Sequence, residues 1–201
     1  MIIDEFFKYR EELLDQSKDE EGFIQESLLL SQVLPSMLDS KLIDSEDANG
    51  SYFKSTADKL KINAYCVNES GERLQLFMIN ESSIDLSAKN KDLQVSQKSI
   101  YENEFKRGTN FINKALLRQL NDEIQDSSPA RPLISKMSSS EGADQFDVIE
   151  LFLITTTATI NSRTATPQPA RMEFNSETIN VTYTKNREKK EKELLLIEYE
   201  K

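Results

Sequence analysis

The segment from Lys61 to Ser82, KINAYCVNESGERLQLFMINES, contains two apolar runs that flank a short polar turn, as in a β-hairpin. Asn63 lies within the first run and Asn80 ends the second, where a purely structural hairpin has little use for an amide. An amide is neutral and offers one carbonyl oxygen. The segment therefore raises the question of whether the two asparagines are ordinary polar positions or mark a catalytic site that has been lost.

The amino-acid composition excludes most other catalytic chemistries. The chain has no histidine and one cysteine, Cys66, which excludes Ser-His-Asp and Cys-His arrangements, histidine-containing zinc sites and thiolate metal sites. None of the five glycines has the spacing of a phosphate-binding loop. What remains is a carboxylate-held Mg²⁺ site or a carboxylate acid/base pair. Cys66 itself is predicted to be a small buried hydrophobe.

The negative charge is concentrated at the N-terminus. The formal net charge is −10, of which residues 1–50, with thirteen acidic and four basic residues, contribute −9. Such a segment repels phosphate backbones, so any nucleic-acid contact must use another face. The alternative is a solvated acidic helix pair that keeps the protein soluble.

The sequence predicts a cytoplasmic protein with no membrane partner. No stretch approaches the roughly 20 apolar residues that are needed to cross a bilayer. The N-terminus, MIIDEFFKYREE, interleaves charges with apolar residues, unlike a signal peptide. A single cysteine fits a reducing compartment.

Hydrophobic periodicity predicts two helices, three strands, a long helix, a buried strand and a β-rich tail. Asn49-Gly50 is predicted to be a turn, Pro35 to kink or split the second helix, and Gly108 to mark a close approach of the long helix to the sheet. Two regions are expected: 1–156, the helical N-terminus plus an α/β core, and 157–201, a β-rich extension packed on the same domain. The predicted elements cover residues 2–17, 21–39, 51–55, 59–67, 73–80, 95–124 and 148–156.

This α-β-β-β-α-β order predicts a mixed sheet flanked by helices, and it resembles the restriction-endonuclease-like fold. The resemblance implies an Asp on the second core strand and a Glu-x-Lys on the third, which hold Mg²⁺ beside the scissile phosphate, often with a Glu from the first helix. Mg²⁺ requires anionic oxygens, and the Lys orients or deprotonates the attacking water.

Two segments resemble the N-terminal region of the abortive-infection phage-resistance (AIPR) family. They are LKINAYCVNESGERLQLFMIN at 60–80 and VIELFLITTTATINSR at 148–163, which precedes the MEFNSETINVTYT hairpin. The resemblance implies a bacterial phage-defence protein. Longer members continue into a region with an Asn-Val-Arg motif followed by Phe-Leu, which is absent here, so the chain looks like an N-terminal domain alone.

By this resemblance the catalytic positions are degenerate. Asn63 stands where the Asp is expected, Met78 and Asn80 stand at the Glu-x-Lys positions, and Glu26 is a possible remnant of the helical acid. A thioether has little affinity for Mg²⁺. We therefore expect a non-catalytic domain without metal or cofactor, which acts in recognition or assembly. The expected partner is a phage-derived or host protein or nucleic acid, or a second copy of the chain through an exposed sheet edge.

Two other functions are compatible with the sequence. An active Mg²⁺-dependent nuclease would take displaced carboxylates from Glu26, Glu69, Glu81 and Asp85. A nucleic-acid-binding module would use the basic face of the 95–124 helix, formed by Lys106, Lys114 and Arg118, and its binding would weaken steeply with salt.

Overall fold

The computed structural model is a mixed α/β fold, as predicted. No helix among the described residues is both long and apolar enough to cross a membrane. The description covers residues 3–89, 95–96, 98–139, 145–159, 179–184 and 194–196.

Four strands form the core of an open mixed sheet, and two further strands extend it. The strand order is β1-β2-β3-β5-β7-β8, in which β3 and β5 are parallel and the other neighbours are antiparallel. The short strands β4 and β6 form a separate parallel pair. The described strands are β1 (Asn49–Ser55), β2 (Leu60–Val67), β3 (Arg73–Ile79), β4 (Val95–Ser96), β5 (Val148–Thr155), β6 (Ala158–Thr159), β7 (Ile179–Thr184) and β8 (Leu194–Leu196).

Helices cover both faces of this sheet. One apolar cluster joins α4 and α5 to one face, and a second joins α1 and α2 to the other. The central strands β3 and β5 are buried on both faces, which explains their nearly continuous apolar sequences. The described helices are α1 (Ile3–Gln16), α2 (Glu26–Asp39), α3 (Glu81–Lys89), α4 (Lys98–Leu116) and α5 (Arg131–Ser138).

The long helix α4 approaches the sheet closely, as predicted. A Cβ atom added at Gly108 would lie 2.6 Å from Leu151 Cδ2 and 2.8 Å from Met78 Sδ. A larger residue at this position would therefore have to displace the Leu151 or Met78 side chain. The helix ends at Leu116 rather than at 124, because Arg118 adopts a positive φ of 63° and its N–H bonds to the Ala115 carbonyl.

Several predicted boundaries are wrong. The second helix begins at Glu26 rather than at 21, which leaves Phe23 outside it and 65% exposed, and it continues through Pro35 without splitting. Asn49 and Gly50 pair with β2 instead of forming a turn. The sequence reasoning also missed α3, which follows β3 directly and begins where the Asn80 carbonyl accepts the Ser83 N–H.

Candidate functional site

The alternate side chains of β2 change from one face of the sheet to the other halfway along the strand. Leu60 and Ile62 pack in the cluster beneath α4, whereas Ala64 and Cys66 pack in the cluster beneath α1 and α2. A regular strand would send these alternate residues to one face, as the sequence reasoning had assumed. The ladder pairing of β2 with β3 covers Ala64–Val67, the half that follows this change.

The change of face is centred on Asn63. Its Oδ1 accepts the backbone N–H of Ile79 at 2.9 Å, and its Nδ2 donates to Glu26 Oε2. The register of β2 against β1 also shifts beside it, between Gly50 and Phe53. In that interval Ser51 and Tyr52 of β1 lie opposite Asn63 alone, which is the two-against-one pairing of a β-bulge in β1, and such bulges re-aim neighbouring side chains. Asn63 is therefore turned toward the N-terminus of α2.

Lys61 lies on the same side and is the largest fully buried polar side chain described. Its exposure is 0%, and its Nζ donates to Glu26 Oε1 at 2.8 Å and to the Ile79 carbonyl at 2.7 Å. Glu81 Oε1 lies 2.8 Å from the same nitrogen as an ion-pair contact. Three oxygens therefore lie within 2.8 Å of the ammonium nitrogen, two of them as hydrogen-bond acceptors. We call Lys61, Asn63, Glu26 and Glu81 the Lys61 cluster.

Glu81 joins this cluster from the first residue of α3, where the helix dipole favours a negative charge. Its Oε2 accepts a hydrogen bond from Lys54 Nζ at 2.7 Å. Partial burial acts to raise the pKa of Glu81, but its contacts with Lys54 and Lys61 outweigh burial and lower that pKa to about 2. Glu81 is therefore ionised throughout the physiological pH range, and two ammonium groups balance the carboxylates of Glu26 and Glu81.

Met78 does not lie with the Lys61 cluster. It belongs to the apolar cluster on the α4 face, where its sulfur approaches Gly108. Met78, one of the two positions compared with a Glu-x-Lys motif, therefore faces α4, whereas Asn63 contacts Glu26 at the start of α2. The thioether is a packing group beneath α4.

Asn80 follows the last residue of β3 and lies beside the end of β5. Its backbone N–H donates to the Ile154 carbonyl at 2.8 Å, and its Nδ2 donates to Thr155 Oγ1 at 3.4 Å. Its Oδ1 is buried and has no hydrogen-bond partner among the described residues. Buried polar atoms of this kind commonly bind a structural water.

The residues that surround Asn63 do not fit Mg²⁺. Hard divalent cations require several anionic or carbonyl oxygens that are free to coordinate. Both Glu26 oxygens already accept hydrogen bonds from Lys61 and Asn63, and both Glu81 oxygens contact lysine ammonium groups. Within the described part of the chain, no three Asp, Glu, His or Cys side chains are grouped so that they could hold a metal ion.

The other predicted carboxylates do not complete a site. Glu69 is an exposed residue in the turn between β2 and β3, and its turn joins the ends of these strands that are remote from Asn63. Asp85 is exposed on α3. Of the four acids considered for a displaced nuclease site, the structure therefore brings together Glu26 and Glu81.

The basic residues of the 95–124 region do not form a continuous stripe. Lys106 is exposed on α4, but Lys114 Nζ is paired with Asp58 Oδ1 at 2.8 Å. Arg118 lies beyond the end of the helix, in a left-handed backbone conformation. This arrangement offers no row of free cations at helical spacing.

Sequence reasoning missed Lys61, which is the centre of the cluster. It treated Lys61 only as a polar residue on the outward side of a strand. The usable signal was a lysine two residues before Asn63 in an otherwise apolar strand, because such a lysine must find partners when it is buried. Cys66 is buried at 3% exposure, and burial raises the pKa of its thiol, as expected of a packing residue.

A sequence profile of one protein family matches residues 32–185 of this chain. The family is described as the abortive infection phage resistance protein N-terminal domain. The match includes β1, β2, β3 and β5, and it contains both segments on which the resemblance was based. No curated protein and no solved structure gives a significant match.

Proposed function

The chain belongs to the family of abortive infection phage resistance protein N-terminal domains, and from this premise we propose that it is a non-catalytic domain. It acts in recognition or assembly within a phage-defence protein, on a degenerate restriction-endonuclease-like core. The observation that carries this proposal is the buried Lys61 ammonium between Glu26 and Glu81.

Lys61 replaces the function that a bound cation would have at this position. It neutralises the carboxylates that would otherwise attract a metal, because its Nζ donates hydrogen bonds to Glu26 and to the Ile79 carbonyl and forms an ion pair with Glu81. A catalytic lysine must present an N–H or a lone pair to water or phosphate. A fully buried ammonium with three oxygen contacts presents neither.

The balance of charge points in the same direction. Glu26 and Glu81 contribute two negative charges, and Lys61 and Lys54 contribute two positive charges. A site with no excess negative charge has little attraction for a divalent cation, because removing the ion from water is expensive. Asn63 adds a neutral amide that is already bonded on both sides.

A plasmid-nicking assay with Mg²⁺ and with Mn²⁺ tests this proposal. We expect no cleavage by the wild-type chain and none by Glu81→Gln. The matched control is Glu123→Gln, because Glu123 is an exposed acid outside the Lys61 cluster.

The competing function is a Mg²⁺-dependent nuclease that uses Glu26 and Glu81. It is favoured by one observation, namely that these two carboxylates approach the same lysine. Metal-dependent cleavage that Glu81→Gln abolishes and Glu123→Gln preserves would establish the nuclease and reject the non-catalytic proposal.

A further inference from the structure

A groove with a volume of about 920 Å³ runs between α2 and the edge strand β1. Its floor is apolar and includes Leu30, Leu34 and Ala64. Glu26 and Asn63 line it as well, so it adjoins the Lys61 cluster. The volume lies in the range of ligand-binding clefts, and exposed rim residues leave it accessible to solvent.

The rim of the groove is acidic. Glu46 and Asp47 are exposed, and neither carboxylate forms an ion pair with a described residue. The described lining contains no lysine or arginine. Residues 1–50 carry a net charge of −9, so the surrounding surface adds to the negative potential. This potential favours a cationic ligand and disfavours a phosphate backbone.

Tyr52 provides a further contact for a cation. It lies on β1 at 49% exposure and lines the groove. An exposed aromatic ring binds the ammonium of lysine or the guanidinium of arginine over its face. β1 is also the last strand of the sheet on this side within the described residues, and an edge strand offers unpaired backbone groups to an extended segment.

We propose that this groove binds an extended segment of a partner protein in which basic side chains alternate with aliphatic ones. The aliphatic side chains pack on the Leu30 and Leu34 floor, and the basic side chains meet Glu46, Asp47 and Tyr52. The proposal rests on the proposed recognition function and gives its partner a chemical class.

The test uses the full chain and a fluorescent peptide that alternates lysine and leucine, with binding followed by anisotropy. The groove variant carries Glu46→Lys and Asp47→Lys. The control variant carries Asp122→Lys and Glu123→Lys, an adjacent, exposed Asp/Glu pair that is absent from the groove lining and gives the same change in net charge. We expect saturable binding to the wild type, weakened roughly tenfold or more in the groove variant and by less than about twofold in the control.

A second peptide separates the apolar floor from charge alone. Replacing the leucines of the probe by serine keeps its charge, and we expect it to bind several-fold more weakly. Equal weakening by the two charge variants, equal affinity of the two peptides, or no saturable binding would overturn the groove proposal. Plasmid cleavage would instead overturn the proposed function, so the two failures are distinguishable.

Discussion

Two charged clusters lie on the same face of the sheet, at opposite ends of β3. At the C-terminal end of β3, the Lys61 cluster surrounds one buried ammonium group. At its start, Arg73 Nε and Nη2 donate to the two oxygens of Glu150, each at 2.8 Å. Gln75 Nε2 also donates to Glu150, and Arg73 Nη1 contacts Asp44. We call these four residues, Arg73, Gln75, Glu150 and Asp44, the Arg73 cluster.

The difference between the clusters lies in access to water. The Arg73 side chain is 35% exposed, so water can replace a lost partner. Lys61 is 0% exposed, and its nitrogen contacts Glu26, Glu81 and the Ile79 carbonyl. The planar, bidentate Arg73–Glu150 pair connects β3 to β5 through two hydrogen bonds. The Lys61 cluster instead encloses the Lys61 ammonium away from water. The stability of the folded chain therefore depends on each partner of this ammonium.

The largest effect is expected from removing the buried cation. Lys61→Met removes the only cation that contacts Glu26 among the described residues and leaves Glu81 with Lys54 alone, and we expect the free energy of unfolding to fall by about 3–5 kcal/mol. Urea denaturation measures this loss. Lys106→Met, at an exposed lysine of α4, is the control and should change stability by less than about 0.5 kcal/mol. A loss of similar size in both variants would show that Lys61 is not an essential partner.

A smaller effect is expected in the Arg73 cluster. Glu150→Gln removes the ion pair and keeps the side-chain shape, and Arg73 retains Asp44 and water. We expect a loss of about 1–3 kcal/mol in the same denaturation experiment. If Glu150→Gln destabilises the chain more than Lys61→Met does, access to water is not what distinguishes the clusters.

The stability that ionised Glu81 contributes should depend on pH, and this dependence tests the Lys61 cluster further. Its pKa is about 2 in the folded chain, against 4.5 for an unperturbed glutamate. A lowered folded pKa contributes stability that is complete above pH 4.5 and is lost as the pH falls toward 2. The stability difference between the wild type and Glu81→Gln should therefore shrink across this window. A series of urea midpoints would show it, and a difference that stays constant with pH would refute the ion pair.

The sequence was sufficient for the parts of the fold that local patterns determine. Apolar runs identified β3 and β5, and the glycine on the apolar face of α4 correctly indicated its approach to the sheet. The segments at 60–80 and 148–163 also identified the family. In these cases a single stretch of chain carries the signal, because burial and helical period are properties of consecutive residues.

The candidate site required contacts that no single stretch contains. Glu26 and Lys61 are 35 residues apart, and nothing local shows that the start of α2 lies against β2. The change of face beside Asn63 was hidden because perfect alternation along β2 was assumed. A bulge depends on how neighbouring strands pair, so its position follows from tertiary structure.

A calorimetric titration of the wild-type chain with Mn²⁺ tests the central claim most directly, because the claim is that Lys61 takes the place of a divalent cation between Glu26 and Glu81. We predict that the wild-type chain shows no saturable Mn²⁺ binding that depends on Glu81, so the Glu81→Gln variant should give the same titration as the wild type. One-to-one binding of Mn²⁺ that is lost in Glu81→Gln and kept in Glu123→Gln would contradict the account.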